Sequence, residues 1–478
     1  MASMRIQAAV ALMSAVFWAC SKTPAKPAQD SGRTKVADEE DCPAGPGWFA
    51  SQDTPDPATT EPPRGDDCEF YRRAWQQFLR ATDGAGDSPR VLTFETYATL
   101  FGSDRPLGLL PDQMPKGVFT KTKRPLVLAP RLVKSRQPSD AEDILQAGSK
   151  AILIDQNGHP VFYNIFVNPK FAEFVRTKHY NDIKTLQASP AEEELPTGVV
   201  EYKASWQIVD TANPPTDRIV VTAFVPWLIA DASEPGKLRV DTTRPLRPVT
   251  VALIGLHVVF LPENHPEMIW ATFEYDRNAP SLKGNPQSLS GAAVCPNGKE
   301  PHDETVADDG KPYVLYQNGT TFKDANQKDQ PKTVVDAQAQ TFSPSTSIVR
   351  AFPFSACSPF ADSAAITEID PAIVSINGHV KDTLKLKKPW LSSYSLVAAV
   401  WQDEPRSKDP NVQFKSDKTF PDAQLGGEDR LSSSSMESFT QIASPNCFAC
   451  HDTQSKGGLD PKRISVSHLF RRFALGPH

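Results

Sequence analysis

Four short stretches rich in β-branched and aromatic residues follow one another closely, Val199 to Val209, Ile219 to Leu228, Val249 to Leu261 and Ile269 to Tyr275. The intervals between them carry no helical periodicity. Parallel neighbours need long crossover connections, usually helical, so strands in this succession pair antiparallel. Two further elements extend the pattern. Ile152-Leu153-Ile154 and Val161-Phe162-Tyr163 flank Asn157-Gly158 within Lys150 to Val167, the form of a hairpin whose turn needs positive φ, and Tyr394 to Trp401 adds another strand. The expected fold class is mixed and β-rich, a largely antiparallel sheet or sandwich with minor helices.

The helices are few. Phe70, Ala74, Trp75, Phe78 and Leu79 recur at helical spacing just after Cys68, and Lys170 to Lys178 places Phe171, Phe174 and Val175 on one face. Before the first of these, Ser21 to Asp66 is polar and punctuated by proline, which reads as a disordered tether. Residues 280 to 345 are rich in Gly, Asn, Asp and Lys and read as an insertion or long surface loop stapled by Cys295. The 44 prolines in 478 residues argue for loops and strand edges rather than a helical bundle. The expected organisation is 1–19 signal peptide, 20–66 tether, 67–425 β-rich domain and 426–478 a small helical segment packed on it.

That last segment carries the chemistry. Cys447, Phe448, Ala449, Cys450 and His451 spell C-x-x-C-H. Two thiols on one helical turn can add to the two vinyl groups of a haem, and the adjoining imidazole then reaches the iron from the proximal side. The implied cofactor is one covalent haem c. A small disulfide or half of a zinc site would use the same residues, but a zinc site needs further ligands and the remaining cysteines lie far upstream. Ser434-Ser435-Met436-Glu437 has the form of a capping box, which predicts a helix from Ser435 to Ala443, ended by Pro445. A final amphipathic helix is expected over Ser465 to Leu475.

The N-terminus agrees with a cofactor attached outside the cytoplasm. Arg5 precedes an apolar run from Ala8 to Trp18, too short for a permanent membrane span, as in a signal peptide. Ala19-Cys20 resembles the junction at which bacterial lipoproteins are cut and acylated on cysteine. Ser21 follows in place of the aspartate that resembles an inner-membrane retention signal, so the expected location is the outer membrane, facing the periplasm or the cell surface. With Cys20 lipidated and Cys447 and Cys450 on haem, Cys42, Cys68, Cys295 and Cys357 are left in an oxidising compartment. Four cysteines allow three connectivities; Cys42 with Cys68 and Cys295 with Cys357 closes the smaller loops and is the expected pairing.

No Met follows His451, so a sixth iron ligand is sought elsewhere. Met436, eleven residues before Cys447, has the chemistry to supply one, or is apolar filler beside Phe439. His257 shares a strand face with Gly255, whose lack of a side chain leaves room for a flat ring, or is a hydrogen-bonded core histidine. His468, seventeen residues after His451, is the third candidate, or is an exposed histidine beside Arg471 and Arg472, which themselves suit haem propionates or plain solvation.

Gly255-Leu256-His257-Val258-Val259 with Trp270-Ala271-Thr272-Phe273-Glu274, Gly198 to Trp206, and Ser435-Met436-Glu437 ahead of C-x-x-C-H together resemble exported bacterial monohaem proteins of the cytochrome c kind. The resemblance implies haem c and export and supplies no substrate. Two readings follow. A six-coordinate haem on a tethered lipoprotein would pass single electrons to a periplasmic redox protein. An open iron would instead reduce peroxide or bind a small gas, with a third reading in which the β-rich body is a binding module and the haem accessory. A net charge of −6 gives no footing for nucleic acid, and no hydrolytic triad or phosphate-cradling loop is legible from spacing.

Overall fold

The computed structural model describes residues 42–44, 56–62, 66–84, 88–101, 126–130, 152–230, 232, 238–282, 305–327, 333–350, 371–402, 425–427, 433–439, 441, 447, 451, 462–467, 469, 470 and 473. In chain order the first helix is α1 (Asp67–Thr82), then strand β1 (Glu95–Thr96), α2 (Tyr97–Leu100), β2 (Ala129–Pro130), β3 (Phe162–Val167), α3 (Pro169–Thr177), α4 (Ile183–Gln187) and β4 (Val200–Ile208). There follow β5 (Val220–Val225), β6 (Leu228–Ala230), β7 (Leu238–Val240), β8 (Arg247–Phe260), β9 (Ile269–Tyr275), β10 (Val334–Asp336), β11 (Thr341–Ser343), α5 (Pro371–Lys387), β12 (Tyr394–Gln402) and β13 (Leu425–Gly427).

Among the described residues the dominant feature is a nine-stranded antiparallel sheet in the order β1-β3-β4-β8-β9-β12-β13, with β2 also on β3 and β5 also on β8. The protein is therefore β-rich and antiparallel. The Asn157-Gly158 turn forms, with Gly158 at φ +79° and the Asp155 carboxylate accepting from the amides of Asn157 and His159.

Alternation along the central strands sorts two unlike faces. Tyr202, Ala204, Leu256, Val258, Ala271 and Phe273 form the apolar one, covered by α1 and α5. Phe78 stacks on Phe273 at 4.4 Å and Trp75 meets it edge-on at 4.8 Å. The Trp75 indole donates to Asn377 of α5, which in turn brackets the Leu396 backbone of β12 through both amide atoms. Each of these buried aromatic side chains contributes roughly 2–3 kcal/mol of apolar burial.

Several expectations need correcting. The stretch read as a tether up to residue 66 packs on the body at two places, because its polar groups find partners on α1. Cys42 is disulfide-bonded to Cys68 with Cα atoms 5.5 Å apart, its amide donating to Ser375 of α5, and Asp56 accepts from Gln77 and faces Arg80. Residues 280 to 345 are more than a surface loop where described. Val314 and Leu315 join the main core, Tyr313, Tyr316 and Phe322 form a core of their own, and β10 and β11 make a hairpin. Helix α5 was not anticipated. The helix expected over Ser435 to Ala443 is a set of turns in its described residues. Its cap is Ser433, one residue early, whose hydroxyl accepts from the Met436 amide and whose carbonyl accepts from the Glu437 amide. The last segment has a 3₁₀ turn over Arg463–Val466, with Leu469, Phe470 and Phe473 helical beyond it. Among the described residues no helix is long and apolar enough to cross a membrane.

Candidate functional site

The second face of the sheet is polar, and its side chains stand in rows fixed by strand register. Glu201, Val259 and Trp270 lie side by side across β4, β8 and β9; Lys203, His257 and Thr272 make the next row, and Ser205, Gly255 and Glu274 the third. Directly opposed residues share a face, so these nine project to one side. The C-terminal segment is the layer that covers them.

Each row engages a different part of that segment. In the third, the buried Glu274 carboxylate accepts from the hydroxyls of Ser433 and Ser434 and is ion-paired with Arg350 at 2.8 Å. Ser205 and Ser435 hydroxyls lie 2.8 Å apart, and the Tyr163 hydroxyl donates to the Ser435 carbonyl. Gly255 is what lets the backbones come this close. A Cβ there would stand 2.5 Å from the Ser435 hydroxyl, 2.6 Å from that of Ser205 and 3.2 Å from the Met436 methyl. The space at Gly255, read from the sequence as room for a flat ring, is filled by Ser435 and Met436. Gly255→Ala is expected to cost about 1–3 kcal/mol through this overpacking, measured by chemical denaturation; a variant as stable as wild type would refute the tight approach.

In the second row, His257 is held at both ring nitrogens. Nε2 is 3.0 Å from the Glu437 carboxylate and Nδ1 is 2.8 Å from the Thr272 hydroxyl. Burial pushes the Glu437 carboxyl up, but the charge and hydrogen bond of His257, with Lys203 nearby, outweigh it and leave the group below its usual range. Glu437 thus engages His257, and the Ser433 backbone amide also donates toward its carboxylate.

The first row meets the motif itself. The His451 amide donates to the Cys447 carbonyl at 2.8 Å, the hydrogen bond of one α-helical turn, so the two residues sit on the same turn. The imidazole ring of His451 lies on the Trp270 indole, centroids 3.8 Å apart with planes 41° apart. Its Nδ1 is 3.0 Å from the Val466 carbonyl. A carbonyl only accepts, so Nδ1 carries the hydrogen, and in the neutral ring the lone pair is on Nε2. A hydrogen bond of this kind fixes the tautomer and the orientation of the ring. Cys447 has a free thiol packed against the core, pushed well above the usual thiol range by burial first and then by the Glu437 carboxylate. Beside Val466, the Ser467 hydroxyl donates to the buried Glu201 carboxylate at 2.7 Å, and burial raises that carboxyl to about 7.

The residues expected to matter thus fall into three groups. Cys447 and His451 share a turn, with Glu437, the neighbour of Met436, acting on the Cys447 thiol. Met436 is buried over Gly255, and His257 is engaged by Glu437 and Thr272. Cys20, Cys295, Cys357, Cys450, His468, Arg471 and Arg472 lie outside the described residues. Trp270, the Val466 carbonyl, Glu201 and Glu274 were given no role from sequence. Alternation in Val200 to Ile208 marks the face on which Glu201 stands, but its partner Ser467 is 266 residues away and leaves no local sign.

Compared with known proteins, the chain matches no family model, no curated protein and no solved structure.

Proposed function

We propose that the protein is an exported monohaem c-type cytochrome that carries single electrons to or from another redox protein of the periplasm. The observation that carries this reading is the His451 ring, which shares a turn with Cys447 and is hydrogen-bonded through Nδ1 to the Val466 carbonyl, so that Nε2 carries the lone pair a haem iron would take. Cys447 and Cys450 would hold the haem covalently and His451 would be its proximal ligand. Haem supplies the one-electron iron couple. The protein's part is to bind and orient it and to set its electrostatic surroundings.

Met436 is the proposed distal ligand. Of the two alternatives, His468 lies outside the described residues and His257 has both nitrogens occupied by Glu437 and Thr272, whereas the Met436 thioether is buried on the same sheet face, one residue from the carboxylate that acts on Cys447. The reading also includes lipidation at Cys20 and an outer-membrane anchor, which rest on the sequence.

Protein matured with a haem-attachment system is expected to keep its haem through denaturation and acid-acetone extraction, and Cys447→Ala with Cys450→Ala to lose it. Release of all haem from wild type would refute the reading. In the same sample a low-spin ferric spectrum with a sulfur-to-iron band, lost in Met436→Ala, supports the carrier. A high-spin wild type that binds peroxide or carbon monoxide readily supports the open-iron enzyme or sensor instead.

A further inference from the structure

We infer that Trp270 is a positioning residue for His451, a clamp that fixes the plane of the imidazole; the inference rests on the haem reading above. Among the described residues two contacts bear on the His451 ring: the Val466 carbonyl accepts from Nδ1, and the Trp270 indole lies against one face, 3.8 Å away between centroids. Rotation about Cβ–Cγ would carry Nδ1 away from its acceptor and drive the ring into the indole, so the two contacts restrain the same motion.

Trp270 can act as a stop only if it is itself immobile, and three features make it so. It is the second residue of β9, paired with Val259 in the interior of the sheet, and is 6% exposed. Its Nε1–H donates to the Glu267 carbonyl at 3.0 Å. The loop presenting that carbonyl, between β8 and β9, adopts a costly backbone: Asn264 and Met268 are both non-glycine residues in the left-handed region, at φ +62° and +67°. The loop is held from within by the buried pair of His265 Nδ1 and the Glu267 carboxylate at 2.8 Å, and from outside by the T-shaped contact of Phe70 of α1 with His265. The Met268 side chain is wholly buried. Left-handed backbone at Met268, immediately after Glu267 and two residues before Trp270, sets the carbonyl and the indole in register.

Supports of this kind typically change the hold of a metal on its ligand by about 10–100-fold. The test is the ferrous nitric oxide complex of the holoprotein, in which weakening of the proximal bond converts six-coordinate to five-coordinate haem, read from the absorption spectrum. Trp270→Leu removes the ring, and the ratio of five- to six-coordinate haem is expected to rise about 10-fold or more. Trp270→Phe keeps the apolar bulk but loses the Nε1–H anchor, and a smaller rise of a few-fold is expected. The ferric electron paramagnetic resonance should broaden from one set of g values to several in the same order, a change that lost stability alone would not produce. A wild-type ratio and a single set of g values in both variants would overturn the inference. If Trp270→Leu does not fold, Trp270→Phe decides by the same two measurements. Absence of covalent haem from wild type would instead overturn the haem reading, so the two failures are distinct.

Discussion

Glu274→Ala is expected to destabilise the fold by about 3–5 kcal/mol, because it strands a buried cation and several buried hydroxyls at once. Glu274 is 1% exposed, and its carboxylate is shared among Arg350, Ser433 and Ser434. Arg350 is itself buried, and its Nε and a terminal nitrogen both face Glu274. Without the carboxylate its remaining contact is the Tyr275 carbonyl at 3.4 Å, a poor exchange for an ion pair. Glu274→Gln keeps the shape and removes the charge, so a smaller loss, about 1.5–3 kcal/mol, is expected. Urea unfolding of both variants, with Arg350→Met as the second arm of a double-mutant cycle, measures the coupling. An alanine variant within about 1 kcal/mol of wild type would contradict this account of how the C-terminal segment is held.

The second large effect is on pH dependence. Burial raises the Glu201 carboxyl to about 7, against the opposing hydrogen bond from Ser467 and the charge of Lys203, whereas its ordinary value is 4.5. Between these values the native chain retains a proton that the unfolded chain has lost. The stability contributed by this group is therefore fully present below 4.5 and is lost as pH rises through about 7. The full change is about 3 kcal/mol. Glu201→Gln removes the titration, so between about pH 5 and about pH 8 wild type should lose about 2.5 kcal/mol relative to the variant. Equal pH slopes for the two proteins in denaturant unfolding would rule it out.

Much of the sheet was legible because alternation is a local property. The strands expected at Val199 to Val209, Val249 to Leu261, Ile269 to Tyr275 and Tyr394 to Trp401 differ from the observed ones by a residue or two. Helix α5 is obscured for a reason equally local. Ile373, Ile376, Val380 and Leu384 keep helical spacing and are buried, but Asn377-Gly378 interrupts the run, and Val374 and Leu386, 57% and 88% exposed, put apolar residues on the wrong side. What covers the polar face was not legible at all. Glu201, Lys203 and Ser205 alternate as solvent-facing residues would, and nothing in their neighbourhood shows that Ser467 and Ser435 will bury Glu201 and Ser205. The motif named two thiols and a histidine, whereas the groups that orient the histidine, a backbone carbonyl and an indole from a distant strand, belong to tertiary structure alone.

The polar face has a consequence for the timing of synthesis. The contacts that close this layer span 159 residues from Glu274 to Ser433, 266 from Glu201 to Ser467 and 272 from Tyr163 to Ser435, so the strands emerge from the ribosome long before their cover. Long-range closures form late, and an exposed apolar sheet face would invite association with other chains during the wait. Glutamate, lysine, serine, histidine and threonine are at ease in water. A face that the finished protein covers is therefore also one suited to stay bare while the nascent chain is incomplete.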